Sequence, residues 1–238
     1  MRSTIFRQYD SRWGSLAYPT KAYSFANNGC GCCAVTHLLI EMDEYKNYTP
    51  ATVRKYMVKH ATKGNGTTWA GITDSLDHYG HKPKNIPTMS DAFKELNKGN
   101  RAGILLFRGG TKGGVTWTSS GHYVAFIDYK YENGKHYFYT KDSGSRKNDG
   151  WHCYETHMKG LIKQIWVVEL PKAKASYYKK CKADETSFVD GLKYIGVSSG
   201  KATRKKIADA NGIDNYTGTA SQNAKLLKLL KAGKLKKY

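Results

Sequence analysis

Asn133–Gly134 narrows the folds open to this chain more than any other feature. The pair separates two runs of strand-forming residues, Gly121 to Tyr129 and Lys135 to Lys141. An Asn-Gly pair between such runs is a strong hairpin signal, because the tight turn needs positive φ at both positions. Two more short apolar runs, Ala102 to Arg108 and Gln164 to Leu170, are strand candidates on either side. Helical patterns precede them. Gly31 to Glu41 carries Ala34, Val35, Leu38 and Leu39 on one face. Pro50 to His60 follows Thr49 as an N-cap, Ser90 to Asn97 reads as a helix capped by Ser90, and Thr68 to Tyr79 is a further candidate. Helices first and an antiparallel sheet after them predict an α+β fold.

Three textures divide the chain. Residues 1–170 form the mixed domain just described. Residues 171–185 open with Pro171 and are polar and basic, which predicts a linker. Residues 186–238 are helical in pattern, with helices expected at Ser187 to Tyr194, Ala202 to Asn211 and Ala220 to Ala232, punctuated by glycines. Leu227, Leu229 and Leu230 need burial, so a three-helix module is expected. This stretch has eleven basic residues against three Asp.

Charge constrains the partners. The whole chain has 39 Lys+Arg against 19 Asp+Glu, a formal net charge of +20, and such a field attracts polyanions. No zinc-finger spacing or zipper-linked basic region accompanies it, so nucleic acid is not the expected partner, although a non-enzymatic basic binder is an alternative. Anionic cell-wall polymers carry the same attraction. No apolar run approaches the ~18 residues of a membrane span. The first ten residues hold no long apolar stretch, so a secretory signal is not expected, and the protein is expected to accumulate in the cytoplasm in which it is made. The five cysteines, three of them within four positions, make a poor disulfide framework and fit reduced thiols.

The chemistry concentrates at Asn28-Gly29-Cys30-Gly31-Cys32-Cys33-Ala34. A thiol at the start of a helix is favoured as thiolate, and flanking glycines let a substrate backbone approach. A nucleophile needs a base. His122, after Ser119-Ser120-Gly121, is expected to begin its strand and face a cleft. The hairpin at Asn133–Gly134 brings the end of the next strand, Asp142, beside it, so Asp142 can orient the ring. The bland readings are a structural Cys30 thiol and an ordinary carboxylate at Asp142. A metal cluster of Cys30, Cys32, Cys33 and His37 lacks the paired Cys-x₂-Cys spacing of common zinc sites, and no cofactor or metal is expected. Trp69, Trp117 and Trp151 are candidates for a substrate groove, with core packing the alternative.

The blocks Gln8-Tyr9-Asp10-Ser11-Arg12-Trp13-Gly14, Gly29 to Ala34, Gly121-His122-Tyr123-Val124 and Asp142 together resemble papain-like cysteine peptidases of the C39-like group (C39-like family 2), found in bacterial and phage cell-wall proteins. The resemblance spans roughly residues 5–170. It implies Cys30 as nucleophile, His122 as base and Asp142 as orienting group. It also implies an oxyanion-hole Gln six residues before the cysteine, where this chain has Ser24. Gln8 is the first substitute, with Asn27 and Asn28 as nearer options. Residues 186–238 are similar to helical C-terminal modules of clostridial-type cell-wall hydrolases, with Tyr216, Arg204 and Gln222 as exposed contact candidates. The resemblance implies a phage endolysin acting on the peptidoglycan of Gram-positive cells, of clostridial type, after release through a holin. Endopeptidase action is the first expectation and N-acetylmuramoyl-L-alanine amidase the second, with a monomer favoured.

Overall fold

A computed structural model of the 238-residue chain describes residues 4–42, 47–171 and 177–238, and the fold is α+β. The chain divides into two compact units, residues 1–172 and 173–238.

The first unit opens with a helical turn, α1 (Phe25–Asn28), and a longer helix, α2 (Cys30–Met42). Every residue of α2 from Gly31 to Leu39 is buried, as expected for a helix inside a core. Helix α3 (Pro50–His60) has the bounds its pattern predicts. Thr49 accepts from the Thr52 amide at 3.2 Å, while Thr52 Oγ1 accepts from the Thr49 amide at 2.9 Å, closing a capping box. A small hairpin of β1 (Thr62–Lys63) and β2 (Gly66–Thr67) leads into α4 (Trp69–His78), then β3 (Lys84–Ile86) and α5 (Met89–Leu96). Ser90 does not cap α5. Thr88 does, accepting from the Asp91 amide at 3.1 Å, and Thr88-x-x-Asp91 has the capping spacing that Ser90 lacks.

The remaining elements of this unit are β4 (Arg101–Lys112), β5 (Val115–Glu132), β6 (Lys135–Lys141), β7 (Gly150–Cys153), α6 (Tyr154–His157) and β8 (Ile162–Glu169). They build an antiparallel sheet in the order β3-β8-β4-β5-β6-β7. Asn133 and Gly134 both adopt positive φ (51° and 74°), as the β5–β6 turn requires. His122 does not begin a strand. It lies inside β5 opposite Phe107, because the Gly- and Ser-rich stretches expected to be open instead pair through a bulge at Arg108–Gly110 and run on to Lys112–Val115.

Both faces of the sheet are covered, which explains apolar runs in place of alternation. Ile104, Leu106 and Ala125 join α2, α3 and α4 in one core, whereas Leu105, Phe107 and Phe126 join α5 in another. Trp117 belongs to that second core, stacked 4.3 Å from Phe107, and lines no groove. Lys141 is 1% exposed and reaches Glu41 of α2 at 2.7 Å, tying the end of β6 to that helix.

In the second unit, α7 (Phe188–Tyr194), α8 (Lys201–Ala210) and α9 (Ala220–Ala232) surround a core of Phe188, Leu192, Ile207, Leu226 and Leu230. Part of the stretch expected to be a linker, 171–185, packs on this unit. Tyr178 donates to Leu235 at 2.9 Å and Cys181 is buried in this core, since so small a bundle gains from every apolar side chain that reaches it; residues 172–176 lie outside the described residues. Tyr216 is buried there too, its hydroxyl bonded by Arg204 at 3.0 Å, and Gln222 closes the capping box of α9. Neither is the exposed contact residue expected of it. Among the described residues no helix is long and apolar enough to cross a membrane.

Candidate active site

The three chemical groups singled out in the sequence meet. Cys30 is the first residue of α2 and is half-buried. Its thiol lies close enough to the ring of His122, itself 7% exposed, for each group to shift the other's protonation. His122 Nε2 donates to Asp142 Oδ1 at 2.7 Å, an assignment that follows from an ionised carboxylate accepting only. Nδ1 is then the ring nitrogen left for the sulfur. Gly31 matters here by its size. A Cβ at that position would stand 2.4 Å from Thr67 Oγ1, so only glycine lets the start of α2 press against the β2 strand.

Asp142, fully buried just after β6, is surrounded by donors. Oδ1 also accepts from the amides of Gly144 at 2.7 Å and Ser145 at 3.2 Å, and Oδ2 accepts from Asn148 Nδ2 at 2.8 Å. Burial alone would raise its pKa. The hydrogen bond and charge of His122, then Asn148 and the Gly144 amide, outweigh it and hold the carboxyl below its ordinary range. Burial likewise disfavours a charged His122, but Asp142 and Cys30 push the ring up to about 10. For Cys30 burial again opposes charge. The His122 bond and charge, with the amides of Tyr123 and Gly31, bring the thiol below its ordinary value.

Its neighbours on α2 behave oppositely. Burial pushes Cys32 and Cys33 well up, and neither meets an imidazole to offset it. The thiol and imidazole candidates do not gather round a metal. Cys32 Sγ donates to the Pro50 carbonyl at 3.6 Å, and His37 Nε2 accepts from the Phe6 amide at 2.8 Å, with burial holding that ring neutral at about 3. Among the described residues no group of three or more His, Cys, Asp and Glu could hold a metal ion.

Gln8 is tied to both sides of the site. Its amide N–H donates to Ser143 O at 3.0 Å, its Oε1 accepts from Ser143 Oγ at 3.0 Å, and its Nε2 donates to Ala26 O at 2.7 Å, four residues before Cys30. One Nε2 hydrogen remains for another acceptor. The rivals fit less well. Ser24 precedes α1 and makes no side-chain cap, Asn27 is exposed, and Asn28 Nδ2 donates to Asn65 O.

The sequence reading missed Arg7, Asn148 and Asp149. Arg7 donates to the carbonyls of Asp142 and Ser145 and pairs with Asp149, whose Oδ1 accepts from the Asp142 amide at 3.0 Å. Asn148 also donates to Thr116 O at 3.1 Å. Arg7 stands beside Gln8 in the opening block, yet its partner lies 142 positions away, so no local pattern marks it.

A thiolate beside an imidazolium that a carboxylate orients can attack an electrophilic carbonyl, and the ring can then protonate a leaving group. No family model matches the chain. Over 46 residues it is 52% identical to an L-alanyl-D-glutamate peptidase of Listeria phage A118, which is 19% of this chain and 16% of that relative's length. Among solved structures it is similar to the peptidase domain of Streptococcus ComA, a bi-functional ABC transporter involved in quorum sensing, with a TM-score of 0.46 and 16% identity over 61% of this chain and 93% of that domain.

Proposed function

We propose that the protein is a cysteine-dependent peptidoglycan hydrolase of endolysin type, whose first unit cleaves an amide bond and whose second unit holds the enzyme on a Gram-positive wall. One observation carries this reading: His122, held by Asp142 at 2.7 Å, stands by Cys30 at the start of α2, and of the three neighbouring thiols on that helix only this one is drawn below the ordinary thiol range. The stretch shared with a phage protein named as a peptidase supports it, and the net charge of +20 suits anionic wall polymers.

The reaction follows from the geometry. With His122 raised and Cys30 lowered, the ring outcompetes the sulfur for the proton they share. The sulfur attacks the amide carbon. Negative charge gathers on the carbonyl oxygen, where the backbone amide of Cys30 and the free Nε2 hydrogen of Gln8 receive it. His122 protonates the leaving amine as the C–N bond breaks, leaving a thioester on Cys30. The neutral ring then takes a proton from water, which attacks the thioester and releases the acid product and the thiol.

The oxyanion role of Gln8 has its own test. Gln8→Ala lowers kcat by about 10²–10³ with a smaller change in KM, as removal of one preorganised oxyanion donor does. Initial rates on purified walls read this directly, and an unchanged kcat removes Gln8 from the mechanism.

Endopeptidase action on the stem peptide or cross-bridge is the preferred specificity. The same three groups also serve an N-acetylmuramoyl-L-alanine amidase. Mass spectrometry of digested walls separates the two. New amino termini within the peptides are the expected product, and free lactyl carboxylates on MurNAc overturn the endopeptidase reading.

A further inference from the structure

Cys32 and Cys33 play no part in this mechanism, and the two are not equivalent. Successive helical residues are turned about 100° from one another, which sets Cys32 on the side of α2 away from Cys30 and Cys33 on the same side, one turn on. The contacts agree. Cys32 Sγ reaches Pro50 at the start of α3, whereas Cys33 lies near Ser143, the residue after Asp142, and within electrostatic reach of Cys30. Cys30 thus faces His122 of β5, whose ring bonds Asp142, and Cys33 faces Ser143, the next residue on. Residues three apart on a helix have Cβ atoms about 5–6 Å apart, and a disulfide needs about 3.5–4.5 Å. Cys30 is the first residue of α2, where a small opening of the turn closes that gap.

We propose that Cys30 and Cys33 form an oxidative modification site, at which hydrogen peroxide oxidises Cys30 and Cys33 closes a disulfide onto it. The inference rests on the reading of Cys30 as the reactive thiol. The Cys30 sulfur attacks one peroxide oxygen. An S–O bond forms, the O–O bond breaks, and the departing hydroxide takes the His122 proton as water. Sulfur has lost two electrons, and the peroxide has gained them. The Cys33 sulfur then attacks Cys30, the S–S bond forms and the S–O bond breaks, and the leaving hydroxide carries off the Cys33 proton as a second water. Two thiols and one peroxide have become one disulfide and two waters.

Burial decides the order of events. Cys30 is half-buried and meets the oxidant first, while Cys33, with 0% exposure, is shielded from it. The disulfide blocks the nucleophile and keeps it from the sulfinic acid, which ordinary thiols do not reduce.

All three thiols fall in one tryptic peptide, Ala22 to Lys46, so its mass reports the cross-link without any assay of hydrolysis. The full-length protein is treated with hydrogen peroxide, digested without reductant and weighed. In parallel, activity on purified walls is read before and after dithiothreitol. The expected peptide is lighter by two hydrogens in the parent and in Cys32→Ala, and activity is lost and then restored. Cys33→Ala and the near-isosteric Cys33→Ser keep the untreated activity. After peroxide their peptide gains oxygen, and dithiothreitol restores about tenfold less activity than in the parent because the sulfinic acid resists thiols. The inference is overturned if the lighter peptide persists in Cys33→Ser, disappears in Cys32→Ala, or never forms in the parent. A cross-link that forms in a protein unable to cleave walls overturns the proposed function instead.

Discussion

Cys30→Ala lowers wall hydrolysis by about 10⁴-fold or more, the scale seen when a nucleophile that works as a unit with its base is removed. The loss falls on kcat, because the sulfur forms the bond that breaks and contributes little to holding the wall. Cys30→Ser fails almost as badly. A hydroxyl is a far weaker acid than a thiol, and the imidazole that draws the Cys30 proton away cannot ionise it to a comparable degree. Cys32→Ala and Cys33→Ala make the comparison sharp, since both remove a thiol from the same four residues and both keep activity. Turbidity clearance by the purified variants reads the result. A Cys30→Ala protein that clears wall suspensions at the parent rate ends the enzymatic reading and leaves a basic wall binder in its place.

Asp142→Asn is expected to lower kcat by about 10²–10⁴-fold, and it also changes the pH profile. In the parent, the ring must be protonated to serve as the acid, so activity falls on the alkaline side as His122 loses its proton at about 10. The Asp142 bond and charge help to raise that pKa. The neutral amide lacks the charge, so the alkaline limb moves toward lower pH. The amide also cannot satisfy all four donors, because its NH₂ meets either the His122 ring or the Asn148 Nδ2 group as donor against donor. Asp142→Ala is worse for the fold. It leaves a buried imidazolium and the amides of Gly144 and Ser145 without an acceptor, and breaking a buried charge pair in this way costs about 3–5 kcal/mol. The kcat–pH profile of the asparagine variant and the denaturation midpoint of the alanine variant check the two halves. An alkaline limb that stays where the parent has it removes Asp142 from its orienting role.

Local signals were legible where local physics decides. Thr49 with Pro50 marked the start of α3, and Asn133–Gly134 marked the β5–β6 turn. The His122–Asp142 pair was readable because a single hairpin, twenty residues long between them, brings both ends together. Reading failed where distant groups compete. Ser119-Ser120-Gly121 looked like an open approach to a strand, but pairing with β4 carries the backbone through it. Tyr216 was expected to be exposed, and Trp117 was open between a groove and a core; each is claimed by a core built from remote residues. Arg7 and Asp149 carried no mark at all, since their pairing exists only once the two ends of the first unit meet.

The same division runs through Cys30. The sequence by itself determined a thiol between glycines at the start of an apolar helix, because capping, periodicity and backbone freedom act over a few residues. That placement already singled out Cys30, and the tertiary structure supplied the charge that separates it from Cys32 and Cys33. Burial pushes all three toward the neutral form, and the deciding charge belongs to a ring 92 positions away that a carboxylate twenty residues further on holds in place. Electrostatic effects depend on distance in space and on exclusion of water, and neither is a property of sequence spacing.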